Sequence, residues 1–397
     1  MCGIVGYIGS NQAAPFLLDG MSKLEYRGYD SAGIAVLEKG QVRVEKCVGR
    51  LDALRQKLEG HMPEGVMGIG HTRWATHGRP ADRNSHPHTD GSGKFVVVHN
   101  GIIENYLALK EELIAKGVEF TSDTDTEVVA HLMADLFDGD MESTVKKVLK
   151  VIKGSYSLVF MCEAEQDKII CTKKDNPLVI GLGEGENFIA SDIPAIINHT
   201  RRTFIMSDGE IATVTKDGVW VQDINGTPIN KKVFEVNWNA EAAEKGGFEH
   251  FMLKEIYEQP KAMRDTMTSR VNAEENTIAF PELNWTAEEM QGINKIFIVA
   301  CGTAYHAGLV GKFAIEKFAK IPVITDIASE FRYRDPFVDE NTLLILVSQS
   351  GETADTLASL RYAKERGARI LSVTNVVGSS IARESDDVFY TWAGPEV

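Results

Sequence analysis

Cys2-Gly3-Ile4-Val5-Gly6-Tyr7-Ile8-Gly9 opens the chain with a cysteine directly after the initiator methionine and a glycine-punctuated apolar run behind it. If Met1 is removed, Cys2 carries both a thiol and a free α-amine. That joins a nucleophile and a base on one residue. An α-amine has a reference pKa of about 7.7–8.0, so a useful fraction is neutral near pH 7 and able to take the thiol proton. The plainer alternative is a buried cysteine starting an ordinary first strand. Position alone does not separate the two, and the rest of the chain must decide.

The chain has 397 residues, more than one typical domain uses. A formal charge of −15 argues against nonspecific nucleic-acid binding, which needs phosphate-neutralising cations. The five cysteines, Cys2, Cys47, Cys162, Cys171 and Cys301, are scattered and form no C-x-x-C pair. That pattern fits a reducing compartment rather than a disulfide or zinc framework. The chain start lacks a basic-then-apolar signal region, and no uncharged apolar run reaches membrane-span length. The expectation is a cytoplasmic protein with no membrane partner.

Residues 1–240 read as antiparallel β structure with interleaved helices. Hairpin signals fall at Val36–Val44, Cys162–Cys171, Gly181–Ile189 and Ile211–Val221, the last with Asp217-Gly218 at its turn. Helical periodicity covers Tyr106–Lys116, Asp125–Phe137 and Ser143–Ile152. Residues 241–293 read as a linker with docking helices, His250–Arg270 being helical with an interruption at Pro260. From 294 to 397 strand and helix alternate, which predicts a parallel sheet covered on both faces. Its strands are expected at Ile296–Ala300, Pro322–Asp326, Thr342–Val347, Arg369–Thr374 and Asp387–Tyr390.

Four constellations carry chemistry. In His71-Thr72-Arg73-Trp74-Ala75-Thr76-His77-Gly78 the arginine is a candidate for gripping a carboxylate. In His99-Asn100-Gly101 a strand delivers an amide side chain and a glycine N–H, donors that together suit an oxyanion. The plainer reading is an Asn-Gly turn. Thr124-Asp125-Thr126-Glu127 opens a helix, with Asp125 either an N-cap or a carboxylate for a ligand's ammonium group. Thiol, oxyanion donors and anchors for both ends of an amino acid describe hydrolysis of a side-chain amide, that of glutamine. The fourth, Ser348-Gln349-Ser350-Gly351-Glu352-Thr353, follows a buried strand and starts a helix, where hydroxyls and free N–H groups make an anion site without a lysine; standing alone it would read more plainly as a serine-capped helix. Cys301-Gly302-Thr303 ends a neighbouring predicted strand. His86-Pro87-His88 has metal-ligand spacing but no accompanying acidic or cysteine cluster, and reads as structural.

Together with Arg27-Gly28-Tyr29-Asp30-Ser31-Ala32-Gly33, these motifs resemble, in order and along the whole chain, the N-terminal-nucleophile glutamine amidotransferases of the glutamine–fructose-6-phosphate aminotransferase branch. The resemblance implies a four-layer αββα sandwich followed by a parallel α/β sugar-isomerase (SIS) domain. It implies Cys2 as nucleophile and Asn100 and Gly101 as the oxyanion hole. Arg73, Trp74, Thr76, His77 and Asp125 would hold glutamine, with Trp74 a gate on the ammonia path. Thr303, Ser348, Gln349, Ser350 and Thr353 would bind the phosphate of fructose 6-phosphate. No metal or organic cofactor is implied, and the family suggests a homodimer. In that family a sugar-contacting loop, a second SIS domain and a C-terminal tail follow the position of Val397. The expectation for this chain is therefore retained glutamine hydrolysis without glucosamine 6-phosphate synthesis. Two rivals are an amidotransferase acting on phosphoribosyl pyrophosphate, which Ser348–Thr353 disfavours, and a sugar-phosphate-binding regulatory protein with a vestigial amidotransferase half.

Overall fold

The computed structural model describes residues 2–25, 28–75, 77–236, 248–268, 270–272, 276–280, 282–283 and 285–394. Two compact units divide the chain, Met1–Ala240 and Glu241–Val397.

The first unit is built on two antiparallel sheets. One runs, edge to edge, through Phe234–Glu235, Arg202–Ile205, Val179–Leu182, Asn187–Ala190, Gly3–Ile8, Met67–Arg73, Ser31–Glu38 and Gln41–Val48. The other runs through Val219–Gln222, Ile211–Val214, Glu165–Lys174, Gly154–Cys162, Phe95–Ile103 and His88–Thr89. Local sequence explains the connections. Lys39 and Gly40 both take positive φ, 51° and 84°, the two-residue turn whose twist matches a right-handed hairpin. Asp217-Gly218 lies in the link between Ile211–Val214 and Val219–Gln222.

Alternation along the strands sets the layers. In the first strand Ile4 and Ile8 join a core cluster with Ile69, Val96, Val98 and Val159, residues of both sheets. Val5 and Tyr7 point the other way and pack with Leu17, Met21 and Leu24 of helix Ala13–Leu24 and with Leu54 of helix Leu51–Leu58. On the second sheet Phe95 and Val97 face outward onto Leu109, Val128, Val129 and Val145, which belong to three helices. Three apolar cores therefore separate four layers, helix, sheet, sheet and helix. A strand apolar on both faces, as Gly3–Ile8 is, is what such a stack needs.

Helix Glu127–Leu136 starts one residue later than an Asp125 cap would place it. Thr126 takes the cap position without a side-chain cap bond. Asp125 is engaged elsewhere, accepting the Ile103 N–H at 2.8 Å.

The second unit holds a five-stranded all-parallel sheet, ordered Val323–Ile327, Lys295–Ala300, Thr342–Ser348, Arg369–Thr374, Asp387–Tyr390. In chain order this is 2-1-3-4-5, so the winding reverses between Lys295–Ala300 and Thr342–Ser348. Helix Phe251–Thr268 runs unbroken through Pro260 instead of stopping there. The ring removes one helical N–H, and the residue is exposed, so solvent can satisfy the Ile256 carbonyl left without a donor. Among the described residues no helix is long and apolar enough to cross a membrane.

Candidate active site

Strand parity and pairing assemble the site. Ile4 and Ile8, Ile69 and Val98 face the space between the sheets. Counting by twos along the same strands puts Cys2, His71, Arg73 and Asn100 on that inner face. The register pairs Gly3 with Thr72, which brings Cys2 beside Arg73 and Trp74. Gly3 is required there. A Cβ on it would lie 2.6 Å from Thr72 Oγ1 and 2.7 Å from Leu24 Cβ.

The Cys2 Sγ sits between the two backbone polar groups of Trp74. It accepts the Trp74 N–H at 3.1 Å and lies 3.4 Å from the Trp74 carbonyl, to which the thiol donates. Burial raises the Cys2 pKa, against smaller lowering effects from the Trp74 N–H, the positive chain terminus and Arg73. The thiol therefore rests protonated at neutral pH.

Asn100 crosses from the second sheet to the first. Its Nδ2 donates to the Cys2 carbonyl at 3.0 Å, and its Oδ1 lies 3.0 Å from His71 Nε2. Gly101 follows with φ +124°, and a Cβ there would come within 2.0 Å of the Ser155 carbonyl oxygen. No other residue type fits that position without moving the strand.

Arg73 is 3% exposed. Its Nη2 donates to the carbonyls of His77 and Gly78, while Nη1 is buried without a partner among the described residues. A buried guanidinium N–H left open is costly unless a ligand takes it, and a carboxylate matches its geometry. Burial lowers the Arg73 pKa, an effect opposed by Cys2, Asp125 and Asp30. Asp125, also 3% exposed, has Oδ1 3.9 Å from His77 Nδ1 and Oδ2 4.0 Å from His99 Nδ1. Asp30 Oδ2 accepts the Ala75 N–H at 2.7 Å, tying down the segment after Arg73. The Trp74 ring is 45% exposed and meets Tyr29 edge-on at 5.3 Å.

Cys2, Arg73, Trp74, Asn100, Gly101 and Asp125 all line one cavity of about 420 Å³. His77 stands at its margin through its contacts with Arg73 and Asp125. Thr76 lies outside the described residues. Two further lining residues, Ser155 and Asn176, were not singled out from the sequence. Asn176 Nδ2 donates to Ser155 Oγ at 2.7 Å and packs beside Gly101. Nothing in the sequence near Cys2 points to them, because both are remote from it in the chain, Ser155 on strand Gly154–Cys162 and Asn176 in the link after strand Glu165–Lys174. His86 and His88 are buried, and His86 is itself one of the residues lining the cavity. His86 Nδ1 accepts the His99 N–H at 3.3 Å, and His88 Nε2 pairs with Thr124 Oγ1 at 3.1 Å.

In the second unit the Ser348–Thr353 loop leaves the carboxyl end of Thr342–Ser348 and leads into helix Ala354–Lys364. Ser348 Oγ accepts the Gly351 N–H at 3.1 Å and lies 3.3 Å from Thr353 Oγ1. Ser350 Oγ accepts the Glu352 N–H at 3.3 Å, and Gly351 has φ +64°. The Gln349 carbonyl takes the Asn375 N–H at 3.1 Å, and the Gln349 side chain is exposed. Thr303 stands exposed in the first turn of helix Gly302–Ala319, which leaves the adjacent parallel strand. Both segments thus flank the point where the winding reverses, the crevice where open α/β sheets bind ligands. Cys301 is half-buried against the core of this unit.

Comparison with known proteins agrees with both halves. Residues 71–198 match the family described as glutamine amidotransferase domain, and residues 289–397 match the SIS domain. Glutamine–fructose-6-phosphate aminotransferases [isomerizing] from Clostridium tetani and from Caldanaerobacter subterraneus subsp. tengcongensis are each 57% identical over all 397 residues of this chain. The chain spans 65% of the length of each. Among solved structures, the glutamine phosphoribosylpyrophosphate amidotransferase from B. subtilis superposes with a TM-score of 0.51 at 18% identity, covering 98% of this chain and 90% of that one, a likeness of fold. With 57% identity sustained from one end to the other, the chain is similar over its whole length to the glutamine–fructose-6-phosphate aminotransferases.

Proposed function

We propose that this chain hydrolyses L-glutamine at the cavity around Cys2 and, within the complete enzyme, delivers the ammonia to fructose 6-phosphate, giving glucosamine 6-phosphate and glutamate. The observation that carries the reading is the set of groups around one cavity: the Cys2 thiol, the Asn100 carboxamide 3.0 Å from Cys2 O, and the open Arg73 Nη1. Arg73 takes the α-carboxylate of glutamine and Asp125 its α-ammonium group, while Trp74 and His77 close around them. Because burial keeps the thiol protonated, attack needs a base at that moment. The free α-amine of Cys2 serves once Met1 is removed. It accepts the thiol proton as Sγ bonds to the amide carbon. The carbonyl oxygen takes up negative charge against the N–H donors of Asn100 and Gly101. The tetrahedral intermediate collapses to a thioester as the α-ammonium protonates the departing nitrogen, releasing ammonia. Water then adds to the thioester with the amine again as base, expelling the thiol and glutamate.

In the second unit, the hydroxyls of Ser348, Ser350 and Thr353 with Thr303 and Gln349 receive the phosphate of fructose 6-phosphate at a helix start. The complete enzyme works as a homodimer. A glutaminase assay on the purified chain, with intact mass confirming Cys2 as first residue, tests the central claim. Glutamate release that disappears in Cys2→Ala is expected. Undiminished release in that variant would overturn the assignment, and absence of any release in the unmodified chain would favour the regulatory rival.

A further inference from the structure

His71 is the one inner-face side chain of its strand end that the chemistry above leaves unused. It is 1% exposed, and its ring stacks on His86 with centroids 4.1 Å apart and planes 14° from parallel. Its Nε2 lies 3.0 Å from both the His99 carbonyl oxygen and Asn100 Oδ1. The proton's place follows by elimination. The Cys2 and His99 carbonyl oxygens only accept. The Asn100 amide nitrogen must therefore face Cys2, which turns its oxygen to His71. An Nε2 facing two oxygens must carry the proton and share it between them. Nδ1, buried and without a partner among the described residues, is left bare, and burial pushes the ring pKa down to about 3.

The consequence falls on Asn100. Its carboxamide has a twofold choice about its last torsion. In one orientation an N–H faces the cavity. In the other an oxygen lone pair does, and it would repel a developing oxyanion. We infer that His71 is a positioning residue, its Nε2–H locking the Asn100 carboxamide so that the second Nδ2–H is aimed at the oxyanion. This inference rests on the reading of Asn100 as an oxyanion donor and names the group that makes it one. His71 itself touches no substrate.

The test is glutaminase kinetics on the whole chain carrying His71→Gln, His71→Asn, Asn100→Ala, and the last two combined. Glutamine places an amide N–H close to the position of Nε2, whereas asparagine reaches only as far as Nδ1. His71→Asn is expected to lower kcat by roughly ten- to a hundredfold, part of the 10²–10³ typical of a lost oxyanion donor, with little change in KM. His71→Gln should recover most of that loss. The double variant should be no slower than Asn100→Ala, because two residues acting through one donor do not multiply. Alkylation of Cys2 by iodoacetamide should proceed at the unmodified rate in His71→Asn, since displacement at that carbon forms no oxyanion. Multiplying losses in the double variant, a pure KM effect, or a His71→Gln variant as slow as His71→Asn would each overturn the inference. Should His71→Asn lose alkylation as well, ¹⁵N resonances of His71 in the unmodified chain decide. A proton on Nδ1, or an imidazolium near neutral pH, refutes the arrangement. An unmodified chain that releases no glutamate would instead sink the reading of the site itself.

Discussion

Acid should unfasten the first unit well before its carboxylates titrate. His71, His86 and His88 are buried, and burial is the leading cause that holds each below its ordinary pKa. The cations nearby, Arg73 for all three and Lys46 for His88, disfavour an added charge, while Glu127 partly offsets this at His88. Such groups stay neutral in the folded chain and take up protons once it unfolds. Stability is therefore full above the unfolded pKa, about 6.5, and falls as pH drops below it toward the folded value. Going from about pH 7.5 to about pH 5.5, one such histidine removes about 1.4 kcal/mol, and the three together about 4 kcal/mol. That is a large part of the 5–15 kcal/mol typical of a domain. Amide exchange of strand Phe95–Ile103, corrected for the pH dependence of intrinsic exchange, reads the opening energy directly. His88→Gln should reduce the pH sensitivity by about one histidine's share, about 1.4 kcal/mol. A change under about 1 kcal/mol between the two pH values would show that these rings are not held neutral, and the argument would fail.

Further outcomes follow from the cavity. Cys2→Ala should abolish glutamine hydrolysis with the fold intact, while Cys301→Ala, in the other unit, should leave it nearly unchanged; similar behaviour of the two in a glutamate-release assay would mean the wrong cysteine. Arg73→Ala and Asp125→Ala should weaken kcat/KM by roughly ten- to a hundredfold or more through substrate capture, whereas Asn100→Ala should lower kcat by about 10²–10³, a split that steady-state kinetics resolves. Chain still carrying Met1 should be inactive, because its Cys2 nitrogen is an amide; activity in material of that intact mass would refute the base. Fructose 6-phosphate binding followed by calorimetry should weaken in Ser348→Ala or Thr353→Ala, and unchanged affinity would remove the loop from the phosphate site.

Features governed by local rules were legible in the sequence. The Lys39-Gly40 turn declares itself through residue type, and the second unit's strands through apolar runs between helices. Arg73, Asn100 and Asp125 could be singled out because each sits in a short motif at the end of an element. What local rules miss is competition for a group over distance. Asp125 is a good cap by composition, yet it faces the Ile103 N–H from a strand twenty-two residues earlier. Ser155 becomes a neighbour of Gly101 only through strand pairing in the second sheet, and Asn176 only through the link that follows strand Glu165–Lys174. Pro260 predicts a helix break by propensity, but one lost bond at an exposed position does not outweigh the rest of the helix.

The bond from Asn100 to Cys2 spans two layers, and so does that from His71 to Asn100. The separation of nucleophile from oxyanion donor is therefore the height of a stack of side chains, the filling of Ile4, Ile69, Val96 and Val98 between sheets about 10 Å apart. Those residues act as shims. Thinning one by a methylene, as in Ile69→Val, should alter turnover without touching the cavity, and a compensating thickening across the layer should restore it. Over evolutionary time, interlayer positions near the site should drift in volume-matched pairs.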